Sequence, residues 1–193
     1  MNKSVKLLRY IKRNILRLGI HRILPNKLLK KAGYTADLSA WITQRKEEIK
    51  FTSFPYSGFN SDLRTNLYEH IIEAEGLNSN IDYLEFGVAA GKSFLWWESK
   101  IDHPAARFNG FDTFTGLPED WGHFKKGDMT SNNKKPEIDG DRHQFHLGLF
   151  QVTLPAFLKS FSSNRRKVIH LDADLFSSTL FVLTSLSPFI KKG

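Results

Sequence analysis

Cysteine is absent from this 193-residue chain, which excludes a disulfide framework, a zinc finger, any thiolate metal site and any thiol nucleophile. That absence fits a reducing, cytoplasmic compartment. Long apolar runs are also missing: none approaches the roughly 18 residues that a spanning helix needs, and charges interrupt the N-terminus too often for a signal-peptide apolar region. Acidic residues are lacking from positions 1 to 31, where ten basic ones stand: Lys3, Lys6, Arg9, Lys12, Arg13, Arg17, Arg22, Lys27, Lys30 and Lys31. The remaining 18 basic residues face all 20 acidic ones, so the formal net charge of +8 belongs to one segment. It speaks of an attachment surface and not of the core. What the chain does have is 40% hydrophobic residues and 16 Phe, enough for one domain with a sizeable core plus an appendage.

In the basic segment Val5, Leu8, Ile11, Ile15 and Leu18 recur at steps of three and four among Lys6, Arg9, Arg13 and Arg17, the pattern of an amphipathic basic helix. Its simplest use is to pack the apolar stripe on the domain with the basic face solvated. An anionic membrane surface, met peripherally through residues 1 to 31, is the alternative; nucleic acid is not expected. A second helix is predicted around Asp37 to Lys50, and the Phe-, Ser-, Pro- and Gly-rich stretch Phe51 to Asn60 reads as a boundary. A helical arm (1–60) thus precedes a domain (61–193). Ser61 or Asp62 can cap a helix bearing Leu63, Leu67 and Ile71, with Gly76 where it stops.

From Ile81 onward short apolar runs alternate with helical stretches. Ile81 to Phe86, Phe108 to Phe111, Phe145 to Leu149 and Val168 to Leu171 read as strands; the segments near Ser93 to Lys100, Leu154 to Phe161 and Ser177 to Phe189 read as helices, Pro155 falling in the first turn of the second. This βαβ rhythm predicts an α/β fold with a parallel sheet covered on both faces and ligands at the carboxyl ends of its strands. Glu119 to Arg142 is too long for an ordinary connection and reads as a lid or binding loop.

The first strand runs into Glu85-Phe86-Gly87-Val88-Ala89-Ala90-Gly91-Lys92-Ser93. Ala89 and Lys92 stand where a dinucleotide fingerprint needs glycines, and only three residues separate Gly87 from Gly91 where a phosphate-binding P-loop needs four. A third reading is an acid followed by alternating small residues, Glu85, Gly87, Ala89 and Gly91. Small residues let a ligand approach the backbone, the helix N-terminus favours a carboxylate, and Glu85 favours an ammonium or sulfonium. S-adenosylmethionine is such a ligand, although a tight structural turn has the same look. Asp112 ends the second strand, where this architecture hydrogen-bonds ribose hydroxyls, or where an Asp simply caps a turn. The run His170-Leu171-Asp172-Ala173-Asp174 puts two carboxylates just past an apolar stretch, and at strand spacing His170, Asp172 and Asp174 share a face. The alternative for both Asp residues is capping of the helix that Ser177, Ser178 and Thr179 begin.

These segments, with Gly110-Phe111-Asp112-Thr113-Phe114-Thr115-Gly116-Leu117-Pro118 and Gly148-Leu149-Phe150-Gln151-Val152-Thr153-Leu154-Pro155, resemble the macrocin O-methyltransferase family of class I S-adenosylmethionine enzymes, from about Leu63 to Gly193. The resemblance implies a Rossmann-like methyltransferase sheet, open and parallel, with strand order 3-2-1-4 as far as it extends. It sets Gly87, Gly91 and Ser93 against the methionine end of S-adenosylmethionine with Glu85 nearby, and Asp112 with Thr113 at the ribose. It makes Asp172 a ligand of Mg²⁺, which orients a saccharide acceptor, and Asp174 the general base. Family members continue into further strands and carboxylates beyond the point matching Gly193, so the resemblance also implies a domain incomplete at its C-terminus, with a fourth-strand edge open to association, including a homo-oligomer. The competing readings are a P-loop-like nucleotide enzyme using Lys92 and Ser93, with Asp172 on its Mg²⁺, and a non-catalytic binding module. His143 and His146 read as ordinary strand or loop residues, Trp96, Trp97 and Trp121 as packing, and His170 as packed beneath the site.

Overall fold

The computed structural model describes residues 3–19, 26–48, 61–162 and 164–190. The chain divides into two compact units, Met1–Leu63 and Arg64–Gly193. The first holds helices α1 (Lys3–Leu18) and α2 (Asn26–Gln44). α2 begins at Asn26, well before the predicted Asp37, and ends at Gln44 inside the predicted Asp37–Lys50 span; the chain keeps helical geometry through Gly33, where no neighbour stands within 4 Å. The Phe51–Asn60 boundary lies outside the described residues. No helix among the described residues is long and apolar enough to cross a membrane.

Helix α3 (Ser61–Glu75) leads into the second unit, where it stops at Gly76 in the left-handed region, φ +59°. The order then runs β1 (Ile81–Phe86), α4 (Lys92–Lys100), β2 (Arg107–Asp112), β3 (His143–Leu147), α5 (Phe150–Leu158), β4 (Arg166–Leu171) and α6 (Phe176–Leu186), with a 3₁₀ turn at Ser187–Phe189. The four strands form one all-parallel sheet in the order β3-β2-β1-β4, the predicted arrangement and a Rossmann-like α/β fold.

Every residue of β1 is buried, as a central parallel strand covered on both faces requires. Alternation then sorts its side chains. Ile81 and Tyr83 join Phe94, Trp97, Phe108 and Tyr68 on the face covered by α3 and α4; Leu84 and Phe86 join Phe111, Leu154, Val182 and Leu186 on the face covered by α5 and α6. Phe86 and Phe111 stack at 4.6 Å between centroids. Because β1 and β2 hold the middle of both clusters, their carboxyl ends are the most rigidly placed points of the unit.

Both β3 and α5 are shifted toward the N-terminus of their predicted limits. β3 starts at His143 rather than Phe145, since the main chain pairs with β2 from Phe108↔His143 onward whatever the polarity of the side chains. α5 starts at Phe150 and not at Leu154, which moves Pro155 out of the first turn and into the helix interior. The proline removes the helical donor to the Gln151 carbonyl, and the burial of Leu154 with half-buried Phe150 and Phe157 in the second core outweighs that loss.

Candidate functional site

At the carboxyl ends of β1, β2 and β4, where the strand order reverses, lies a cleft of about 290 Å³. Its walls include Gly87, Ala89, Asp112, Thr113, Asp172 and Asp174. Apolar lining comes from Leu117, Pro118, Met129, Leu149, Phe150 and Leu175. A mainly apolar hollow with a few convergent polar groups is the usual form of a small-molecule site.

Gly87 closes the sheet at this point. Its N–H donates to the Phe111 carbonyl at 3.0 Å, and its neighbour Phe86 accepts from the Asp172 N–H at 3.0 Å, so β1 is stitched to both flanking strands at the cleft floor. With φ at +95°, a Cβ on Gly87 would stand 2.4 Å from the Asp172 carbonyl oxygen.

Asp112 serves the turn and the cleft together. Its Oδ2 accepts from the Ala89 N–H and its Oδ1 from the Phe114 N–H, each at 2.7 Å. Ala89 (φ 48°) and Phe114 (φ 57°) are both non-glycine residues held in the left-handed region, which costs about 1–2 kcal/mol apiece. One carboxylate therefore pins two strained residues beside the cleft. The turn-capping role and the exposure to the cleft are compatible, since an ionised carboxylate has about four acceptor positions and the two backbone bonds leave room for a hydroxyl.

Three predicted residues lie elsewhere. Glu85 is fully buried and does not line the cleft: its Oε1 accepts from Ser93 Oγ at 2.6 Å and its Oε2 from Tyr83 Oη at 2.5 Å. Gly91 sits beneath the long loop, where a Cβ would meet Pro136 Cγ at 2.2 Å. Ser93 is turned to Glu85, so neither it nor Lys92 lines the cleft. A phosphate cradle has no support in that arrangement.

Sequence reading missed what surrounds Glu85. Tyr83 Oη also lies 2.9 Å from His170 Nδ1, and Tyr68 Oη lies 3.2 Å from His170 Nε2. With the Tyr83 proton given to Glu85, the bonding pattern assigns the imidazole proton to Nδ1 and lets Nε2 accept from Tyr68. The chain of polar groups reaches the cleft through Arg64, whose Nη1 donates to Asp172 Oδ2 at 3.3 Å. Burial, then the Glu85 charge, pushes the Tyr83 phenol well above its ordinary value; burial also raises that of Tyr68. The available signal was the period of two linking Tyr83 to Glu85, with His170 registered opposite Glu85 on β4. Replacing Tyr83 by Phe should lower stability by about 1–3 kcal/mol, the cost of a buried acceptor losing its donor. Urea unfolding against Tyr10→Phe, an exposed control, measures it; equal midpoints would show that the bond holds nothing.

β4 ends at Leu171, so the strand alternation predicted for His170, Asp172 and Asp174 stops there. His170 goes to the buried network, whereas Asp172, Ala173 and Asp174 all line the cleft. Neither Asp caps α6, whose N-cap is Leu175 without a side-chain cap bond. Burial, then the neighbouring Asp172 charge, holds the Asp174 carboxyl above its ordinary value. Asp172 and Asp174 have no third carboxylate, His or Cys that would complete a metal-binding group among the described residues. Mg²⁺ fits such a pair only with water and substrate oxygens filling most of its shell, its common habit in proteins. His146 stacks on Phe111 at 4.3 Å and bonds to Asn109, and burial lowers its basicity. Trp97 is core, and Trp121 stacks on Phe124 in the long loop.

The second unit is a Rossmann-like α/β fold with a cleft at its topological switch point. Comparison with protein-family models, with curated proteins and with solved structures finds no match to this chain.

Proposed function

We propose that the domain is an S-adenosylmethionine-dependent O-methyltransferase whose acceptor is a hydroxyl of a sugar or glycosylated small molecule. The observation that carries the reading is the convergence of Gly87, Asp112, Asp172 and Asp174 on one cleft at the ends of three strands. When bound, S-adenosylmethionine supplies a methyl group activated on a sulfonium. Gly87 and Ala89 leave the backbone open to a close ligand, and Asp112 accepts from ribose hydroxyls. The apolar wall of Leu117, Pro118, Met129 and Leu149 would exclude water from a cofactor held in the cleft.

A sugar hydroxyl is a poor nucleophile until a base removes its proton as the carbon–oxygen bond forms. Asp174 takes that proton on its carboxylate. Its raised proton affinity moves it toward the working pH, the direction that improves a general base. Asp172, anchored by Arg64, would hold Mg²⁺ that orients the acceptor. Placement at the chain's own carboxylates accounts for much of such a rate enhancement, because it replaces a bimolecular encounter.

Calorimetry with S-adenosylmethionine and S-adenosylhomocysteine tests the reading, with binding of both expected. Undetectable binding of either at millimolar ligand would overturn it. Asp112→Ala should weaken binding about tenfold, the value of roughly one charge-assisted hydrogen bond, and lower stability because Ala89 and Phe114 lose their acceptor. Lys92→Ala should leave binding unchanged; a nucleotide affinity abolished by that substitution would support the P-loop reading instead.

A further inference from the structure

Residues 3–19 carry a surface that methyl transfer does not use. Along α1, Leu7, Leu8, Ile11, Ile15 and Leu18 are exposed by 59%, 65%, 44%, 46% and 69%. At about 100° per residue they fall within an arc of roughly 100°. Lys6, Arg9, Lys12, Arg13 and Arg17, all exposed, lie on the rest of the circumference, with the exposed Tyr10 and Leu16 among them. No acidic residue occurs before Asp37.

We propose that α1 docks on an anionic membrane surface, lying in the plane of the headgroups with its apolar arc in the acyl boundary and its basic side chains on lipid phosphates. The inference is independent of the methyltransferase reading. Charge decides among occupants. A second copy would bring two helices together with several positive charges on each and no acid to pair with them, and Leu8, Ile11, Ile15 and Leu18 span only two heptads of coiled-coil spacing, fewer than a stable coil uses. Nucleic acid would satisfy the Lys and Arg but leave the apolar arc in water. An anionic bilayer satisfies both, since Lys and Arg can extend their stems along apolar surface and present their heads to phosphate.

Co-sedimentation of the full chain with phosphatidylcholine vesicles, with and without phosphatidylglycerol, tests the proposal. Binding is expected to the mixed vesicles, weakly to the neutral ones, and to fall as salt rises. Arg9→Glu with Arg13→Glu should reduce it by at least about 25-fold, at about fivefold per basic residue removed near the surface. Ile11→Asp with Ile15→Asp should reduce it by more than about tenfold. Because the chain has no cysteine, Ile11→Cys and Arg13→Cys can each carry an environment-sensitive dye. The dye at position 11 should shift to the blue on mixed vesicles and the dye at 13 much less, a readout that stands even if the double Asp variant misfolds. Failure to bind mixed vesicles, equal binding to neutral ones, equal shifts at 11 and 13, duplex DNA binding that matches the vesicle affinity, or self-association through Ile11 and Ile15 would each overturn it.

Discussion

Asp174→Asn is expected to lower the methyl-transfer rate by about 10²–10⁴-fold, the usual worth of a general base, while cofactor binding stays unchanged and the fold gains stability near neutral pH. The last point follows from sign. Asp174 has a folded-state pKa above its unfolded value because burial and Asp172 disfavour its charged form. Above the folded pKa, both states are ionised and the folded chain carries the charge at a disadvantage; below the unfolded value, near 3.9, both are protonated and the disadvantage disappears. Asn carries no charge at any pH. Thermal unfolding should therefore place Asp174→Asn above the parent at pH 7, and the gap should close as pH falls through the range just above the ordinary Asp value. Activity should fall over that same range in the parent. In an Asp172→Asn background measured without Mg²⁺ the like charge is gone, and the stability gap that Asp174→Asn opens at pH 7 should narrow. A variant that kept full turnover, or one that lost cofactor binding with turnover, would remove Asp174 from the role of base.

Gly87→Ala is expected to cost the domain both stability and cofactor affinity. A side chain at φ +95° is strained by itself, by about 1–2 kcal/mol, and the added Cβ would meet main-chain atoms of Asp172 at 2.4 and 2.9 Å. Main chain in a strand ladder cannot swing aside. β4 must separate from β1 at the cleft floor or the Phe86–Asp172 bond must break, for a further loss of about 1–3 kcal/mol. Gly91→Ala is the control: its φ is similar, +80°, but its obstacle is the Pro136 ring of a loop. The Gly91 variant should lose less stability, with enhanced proteolysis in the long loop, and the Gly87 variant should lose both stability and cofactor affinity. Urea midpoints and calorimetry separate the two; equal losses would mean that the β1–β4 junction is no more constrained than the loop.

The parallel sheet was legible because short stretches carrying Phe, Leu, Ile and Val alternate with helix-period stretches; its order 3-2-1-4 came with the family resemblance, since right-handed crossovers fix the face that each helix covers and not the order of the strands. Glu85 was misplaced for an equally physical reason. An acid at the end of a first strand faces either a ligand or a neighbouring layer, and only the positions of Tyr83, Ser93 and His170 decide which. Gly91 looked like an opening for a ligand, but its freedom accommodates Pro136, 45 positions away, a proximity that no local pattern encodes. α5 shows the opposite case, where a strong local rule about proline yielded to the burial of Leu154 and its neighbours.

The connection from β2 to β3 is closed by its own bonds. The Phe114 carbonyl accepts from Asn133 N, Thr130 Oγ1 and Ser131 Oγ at 3.0, 3.1 and 3.3 Å, and Leu117 exchanges main-chain bonds with Gly127 and Asp128. Its neck supplies Gly116, Leu117, Pro118 and Met129 to the cleft, while the Trp121–Phe124 pair lies beyond, between Pro118 and Gly127. The neck and the tip are thus separable units of heredity: residues can be gained, lost or exchanged at the tip while the wall below keeps its shape. On the methyltransferase reading, an exchange at the tip would alter what meets the mouth of the cleft and leave Asp112, Asp172 and Asp174 where they stand.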